Sequence, residues 1–391
     1  MRFSDIIGHD ETKQTLLRAV QTNHLAHALL FDGRTGSANV ALALALATYV
    51  NCENRNGAGP SHGESLVGSP GPDSDACGQC ASCQKMARLV HPDLHMVFPV
   101  ANLGKGKNTS ESLLTEWRKF LIDSPYRTLT EWLDVTGGDN KQANISAEEA
   151  RNILQKLSLK AYEGGYKIML IWLPELMNVT SANALLKVLE EPPEKTLFLL
   201  VTNQPDKLLI TILSRTQRVA VRNFTDTEVA TYLRQTLNFD ETRARRVAYL
   251  VDGNVAEAMT IAQTKTDEGA TNAQHTWFAD WMRACYRQDL TYLVKQADEF
   301  DKLPKERQKG LFDYGLRLCR DLFLWQQGAE QLLRLPDDEL NFVRNFGKVL
   351  KPDLIERMVT DLSEAAYHLE RNARAKMILL DLSLTFTRLI K

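Results

Sequence analysis

Short, continuous apolar runs alternate with helical periods over the first 220 or so residues, and only helical periods follow. The runs Ala28–Phe31, Leu94–Val97, Lys167–Leu173, Thr196–Thr202 and Arg218–Val221 are apolar almost throughout, not at every second position. That pattern predicts strands of a parallel sheet covered on both faces. Ser146-Ala147-Glu148-Glu149 reads as a capping box opening a helix over Ala150–Leu159, with Ala150, Ile153, Leu154 and Leu157 on one face. Ser181–Glu190 predicts another helix, with Ala184, Leu185, Val188 and Leu189 as apolar positions and a stop at Pro192-Pro193. Two stretches break the alternation. Glu53–Asp75 is rich in Gly, Ser, Pro and Asn and predicts a mobile loop. Ala101–Asn144 is polar around Leu113–Leu121 and Leu129–Leu133 and reads as an insertion within the domain.

From about Asn223 no strand pattern remains. Thr225–Thr264 holds three short helical periods, with Leu233, Val247, Leu250 and Val251 as expected core. Long helices then run to Lys391. Trp277, Trp281, Tyr292 and Leu293 form one apolar series, Leu316, Leu318, Leu322 and Leu324 another, and Ala375–Ile390 a third. Aromatics at this spacing pack a bundle more readily than they bind a ligand. No internal repeat is visible. The expected class is α/β: a parallel-sheet domain over 1–222, a small helical domain over 223–265 and a helical bundle over 266–391, in keeping with 391 residues.

Charge and leader signals add exclusions. The formal charge is −2, so no net field draws the whole molecule to nucleic acid or membrane, and only a local basic patch could. No apolar run reaches membrane-spanning length. Met1-Arg2-Phe3-Ser4-Asp5 lacks the apolar core of a signal peptide, so a cytoplasmic protein is expected.

The candidate chemistry follows the first strand. Gly33-Arg34-Thr35-Gly36-Ser37-Ala38-Asn39-Val40 leads into the helix-forming run Ala41–Ala47, the frame of a strand, a Gly-rich turn and a helix N-terminus. A working phosphate loop of this kind reads G-x-x-x-x-G-K-[ST]. Gly33 keeps its first glycine and Gly36 an inner one. Ala38, Asn39 and Val40 stand where the last glycine, the lysine and the hydroxyl belong. Asn39 brings no charge to the β/γ-phosphates, Val40 no oxygen for magnesium, and Ala38 sets a Cβ where amides must approach phosphate. The strand Lys167–Leu173 points to the same place. In a working ATPase it ends in acidic residues that hold Mg²⁺ and orient water. Here Trp172 and Leu173 occupy those positions, and Glu175 follows too late to replace them. Two parts of one site are lost together, so no hydrolysable ATP is expected there.

Cys77-Gly78-Gln79-Cys80-Ala81-Ser82-Cys83 contains two interlocked C-x-x-C steps, and Cys52 lies upstream. Four sulfur ligands suit tetrahedral, structural Zn²⁺ with no position left for water. His91 and His95 are alternative ligands. Reduced cysteines of a degenerate site and a redox pair are the competing explanations. Cys285 and Cys319 fall in helical segments as core thiols.

Ser181-Ala182-Asn183-Ala184-Leu185-Leu186-Lys187-Val188-Leu189-Glu190-Glu191-Pro192-Pro193, the box Ser214-Arg215-Thr216, the opening Phe3–Gly8, the four cysteines and Asn372–Lys376 before Leu379-Leu380-Asp381-Leu382 carry a likeness. Through them the chain resembles the bacterial DNA polymerase III clamp loader, most closely the delta-prime subunits, densely over about 1–222 and thinly over Thr225–Arg371. The family's box has cysteine where Thr216 stands. The resemblance implies an AAA+ nucleotide fold with a zinc module, a helical lid and a helical collar. It also implies a ring in which the ATP of one subunit is completed by an arginine of its neighbour, the position that Arg215 matches. On residue type alone, Arg215 is an ordinary surface ion-pair partner. In active relatives an arginine following the lid's Gly-Ser acts on the subunit's own nucleotide. In Gly253-Asn254-Val255-Ala256 that place holds Ala256.

The implied role is that of a non-hydrolysing subunit of a DNA polymerase holoenzyme. Its implied partners are a gamma/tau-type ATPase and a delta subunit, the sliding clamp through the complex, and primed DNA indirectly, with no membrane. Two rivals stand beside this. A diverged gamma/tau-type ATPase is opposed by the missing lysine and acids. A stand-alone zinc nucleic-acid-binding module is opposed by the near-neutral charge and the lack of a basic–aromatic pattern.

Overall fold

The computed structural model describes residues 1–55, 75–101, 109–138, 142–263 and 271–390. The chain falls into two compact units, one of Met1–Gly138, Gln142–Ala248 and Asp252–Glu257, the other of Asp139–Lys141, Tyr249–Val251 and Ala258–Lys391.

The first unit is mixed α/β. Its strands are β1 (Ala28–Gly33), β2 (Leu94–Val97), β3 (Val100–Ala101), β4 (Ala143–Asn144), β5 (Lys167–Trp172), β6 (Thr196–Thr202) and β7 (Gln217–Val221). Five of them form a parallel sheet in the order β2-β5-β6-β1-β7, and β3 pairs with β4 in a short antiparallel ribbon. Every residue of β5 and β6 is buried, whereas β7 exposes Gln217, Arg218 and Ala220 at the edge. Central strands covered on both faces need apolar side chains on both, which is why their sequences run without alternation. Asp32 of β1 lies opposite Thr202, and Trp172 of β5 opposite Val201, so three strands end at one level.

The helices of this unit are α1 (Asp10–Gln21), α2 (Asn39–Val50), α3 (Ala81–Ala87), α4 (Leu114–Asp123), α5 (Leu129–Thr136), α6 (Ala147–Ser158), α7 (Val179–Glu190), α8 (Ile210–Leu213), α9 (Asp226–Leu237) and α10 (Glu241–Leu250), and α11 (Val255–Gln263) begins in it. All twelve residues of α2 are buried, as a helix with apolar residues on every side requires. Each fully buried leucine there contributes about 1.5–3 kcal/mol relative to exposure. From α6 and α7, Ile153, Leu157, Ala182, Leu185 and Leu189 pack on Leu30, Met169, Phe198 and Leu200 of the sheet.

Some local expectations are corrected. Ser146 Oγ accepts the Glu149 N–H at 3.4 Å, but the Glu149 carboxylate accepts the Ser110 N–H instead of returning to Ser146, so the capping box is half formed. Leu154 is exposed. Helix α7 starts earlier than expected, at Val179, where Asn178 Oδ1 caps it by accepting the Ser181 N–H at 2.8 Å. Ala182 therefore packs inward and Ala184 is exposed. The amphipathic pieces of the insertion are α4 and α5. The loop expected over Glu53–Asp75 lies mostly in 56–74, outside the described residues. In α9 to α11, Leu233 and Val247 are buried, as is Val251 in the turn between α10 and α11, and Leu250 is half-buried.

The second unit is helical, with α12 (Thr271–Arg287), α13 (Leu290–Asp301), α14 (Lys305–Gln326), α15 (Asp337–Gly347), α16 (Pro352–Glu370) and α17 (Ala375–Leu389). Phe278, Trp281, Phe300, Phe312, Leu322 and Phe386 form its core, and Cys285 and Cys319 are buried in it as expected. Tyr292, expected inside, is exposed. Among the described residues, no helix is long and apolar enough to cross a membrane.

Candidate functional site

The ends of β1, β5 and β6 meet at the turn that precedes α2. In open parallel sheets, ligands bind outside the carboxyl ends of the strands. In this chain the place is filled by the protein itself. Asn39, in the lysine position, is buried. Its amide nitrogen donates to Asn203 Oδ1 at 2.9 Å and makes longer contacts to the carbonyls of Gly33 and Thr202, both at 3.4 Å. Its Oδ1 accepts the Val40 N–H at 2.8 Å. The side chain that would carry charge to phosphate is thus a neutral tie between the ends of β1 and β6. Ala38 and Val40 are buried with it.

The turn is also covered. Gly36 adopts a left-handed conformation, φ +77°, and a Cβ there would lie 1.8 Å from Asn254 Oδ1. Its carbonyl accepts the Val255 N–H at 3.2 Å. The start of α11 therefore sits directly on the Gly-rich turn. Ala256, in the first turn of α11, is buried with no charge to offer.

The end of β5 has likewise been turned to packing. The Trp172 ring lies 4.9 Å from Trp117 and 6.4 Å from Phe120, in a buried aromatic cluster with Phe98 and Trp132. Aromatic pairs at these separations stabilise beyond their buried area. The residue in the place of the first acid is therefore the anchor of the insertion. Between α4 and α5, Tyr126 meets Phe224 and Tyr232 edge-on at 5.5 and 5.4 Å. The insertion so bridges the sheet and α9. Leu173, in the second acidic place, has φ +53°, a left-handed conformation that costs a leucine about 1–2 kcal/mol. Glu175 accepts the Thr202 hydroxyl at 2.8 Å and the Asn203 N–H at 3.0 Å, and burial pushes its carboxyl up. It caps β6 and does not take the place of the missing acids. Asn39, Trp172 and Leu173 thus offer neither a cation nor a carboxylate at the positions where a working ATPase carries them.

Arg215 follows α8. Its Nε and Nη2 donate to Glu190 Oε2 at 3.1 and 2.9 Å, and Nη1 donates to the Thr211 carbonyl at 3.0 Å. The side chain is about one third exposed.

The four cysteines come together. Their sulfurs all lie within 4.8 Å of one another. Cys52 follows the end of α2. Cys80 caps α3, its sulfur accepting the Cys83 N–H at 3.4 Å, which sets Cys83 in the first turn on the same side. Backbone N–H groups of Cys77 and Cys80 also donate to Cys52 and Cys77 sulfur at 3.3 Å each. Burial pushes the Cys83 and Cys52 thiols up. Burial acts the same way on Cys77, but N–H groups of Cys80 and Gln79 outweigh it and bring that thiol down to about 7. Such a quartet could hold a metal ion, with N–H donors already placed for thiolates. His91 is engaged elsewhere, its Nδ1 accepting the Asp93 N–H and its Nε2 lying 3.1 Å from Glu163. Neither His91 nor His95 joins the sulfur cluster.

Sequence reasoning named the loop, the cysteines and Arg215. It missed Asn203 and Asn254, which fill the site, and Glu190, which holds the arginine. The stretch Ser181–Glu191 was a visible signal for Glu190 only as part of a motif.

The chain is similar to known proteins. The model of a family described as DNA polymerase III, delta subunit, matches residues 8–225. The chain is 28% identical to DNA polymerase III subunit delta′ of Yersinia pestis, over 88% of this chain and 83% of that protein. It is 26% identical to subunit delta′ of Bacillus subtilis, over 82% and 79%. It is also 23% identical to subunit tau of Bacillus subtilis, over 66% of this chain and 37% of tau. With a match across more than half its length, and delta′ proteins similar over most of it, the chain belongs to the DNA polymerase III delta-subunit family, as a delta′-type member.

Proposed function

We propose that this chain is a non-hydrolysing subunit of a bacterial clamp loader, which supports placement of the sliding clamp on primed DNA and supplies Arg215 to the ATP of a neighbouring subunit. The observation that carries this is the state of its own nucleotide site. Asn39 is bonded to Asn203, Trp172 is packed on Trp117, and Asn254 lies against Gly36, while Arg215 remains at the surface. An arginine suits that task because its planar fork and permanent charge meet a γ-phosphate and its transition state.

The division into a nucleotide-fold domain (1–222), a lid (223–265) and a collar (266–391) belongs to the same reading, as does a cytoplasmic location. The partners are a tau/gamma-type ATPase and a delta subunit, with the clamp and primed DNA met through the complex. Cys52, Cys77, Cys80 and Cys83 would hold a structural Zn²⁺. The ion would tie the end of α2 to α3, and four thiolates would leave no position for catalysis.

Assembly tests the partner assignment. Mixed with tau/gamma-type and delta subunits, the chain is expected to enter a single complex whose intact mass includes it at fixed stoichiometry. Failure to join at micromolar concentration contradicts the assignment.

A further inference from the structure

We infer that Glu190 is the positioning residue of Arg215, a proposal that rests on the arginine acting on a neighbour's nucleotide. Arg215 has five N–H donors. Glu190 Oε2 takes the edge made by Nε and Nη2, at 3.1 and 2.9 Å. The Thr211 carbonyl takes Nη1 at 3.0 Å, and the Ser214 hydroxyl is a longer 3.4 Å contact to the same nitrogen. None of these acceptors uses the second N–H of Nη2, and only the long Ser214 contact competes for the second on Nη1. The plane of the guanidinium is therefore fixed from two sides, and its outer edge is left for an oxyanion. That edge is the bidentate face an arginine presents to phosphate.

The two holding groups come from different elements. Thr211 belongs to α8, four residues before Arg215. Glu190 is the last residue of α7, 25 positions earlier in the chain. A single helix could not set both the reach and the tilt of so long a side chain. The ion pair is solvent-exposed, with Glu190 more open than Arg215. An exposed pair contributes little to folding stability. Its value lies in holding the fork in one orientation before the neighbour's nucleotide arrives, which removes the disorder a free arginine would otherwise lose in the transition state.

The test uses the loader reconstituted from this chain, a tau/gamma-type ATPase and a delta subunit, with clamp and primed DNA saturating. Glu190→Gln and Glu190→Ala are compared with Arg215→Ala and with the double variant Arg215→Ala/Glu190→Ala. Glu190→Ala is expected to lower kcat for ATP by about tenfold with KM unchanged. Glu190→Gln, which keeps an acceptor oxygen, should lie between it and the parent. The double variant should be no slower than Arg215→Ala alone, because Glu190 acts through the arginine. Melting midpoints of all four chains should agree with the parent. A normal kcat in Glu190→Ala while Arg215→Ala is slow overturns the positioning role and leaves the arginine's role standing. Normal rates in both remove the premise. A double variant much slower than Arg215→Ala also overturns the proposal, since Glu190 would then act independently.

Discussion

Arg215→Ala is expected to leave the chain folded and to slow hydrolysis at the neighbouring nucleotide site on the order of 10³-fold, the lower end of what a trans-acting arginine supplies. The fold should not notice the change. Arg215 contacts Glu190, Thr211 and Ser214 near the surface, and such substitutions shift stability by about 0.5 kcal/mol or less. The chemistry should notice it strongly, because charge spreading over the transferred phosphoryl group loses a pre-placed cation. Arg215→Lys should rescue little, since a point charge on a flexible stem lacks the fork. Single-turnover phosphate release by the assembled loader, with clamp and DNA saturating, separates these outcomes. An unchanged rate in Arg215→Ala refutes the assignment.

The second large effect concerns the sulfur cluster. Cys80→Ser is expected to lose one equivalent of zinc and to destabilise the first unit by several kcal/mol, because the energy of binding a structural metal is folding energy. For a unit of this size each kcal/mol lowers the melting midpoint by about 2–4 °C. Cys80 is chosen because it serves twice. Its sulfur is one of the four, and it also caps α3 through the Cys83 N–H. A serine can still accept the Cys83 N–H, which assigns most of the loss to the metal. Elemental analysis of the native protein should find one zinc per chain. A metal-free native protein with the same melting midpoint as one refolded in zinc would contradict the expectation.

The sheet was legible in the sequence because strands buried on both faces write themselves as unbroken apolar runs. All five parallel strands lie where those runs stand, within two or three residues. The Gly-rich turn before α2, and the residues that depart there from a working loop, were legible because spacing alone defines them. What filled the vacated site was not. Asn39 meets Asn203 across 164 positions and Gly36 meets Asn254 from a still more distant part of the chain, and no local period marks such pairs. The insertion was opaque for a related reason. Trp117 and Trp132 sit among polar neighbours and look like halves of amphipathic helices, and only Trp172, far along the chain, shows what they pack against. Glu190 reads as one acid of a charged pair before two prolines, and its tie to Arg215 exists only in three dimensions.

The central claim is that this polypeptide does not consume its own triphosphate. The purified chain alone, incubated with Mg²⁺ and ATP, should release phosphate no faster than buffer, while the loader containing it turns over and the loader with Arg215→Ala is slow. Phosphate release by the lone chain that disappears in Asn39→Ala would show a working site beside Asn39, and would contradict the account.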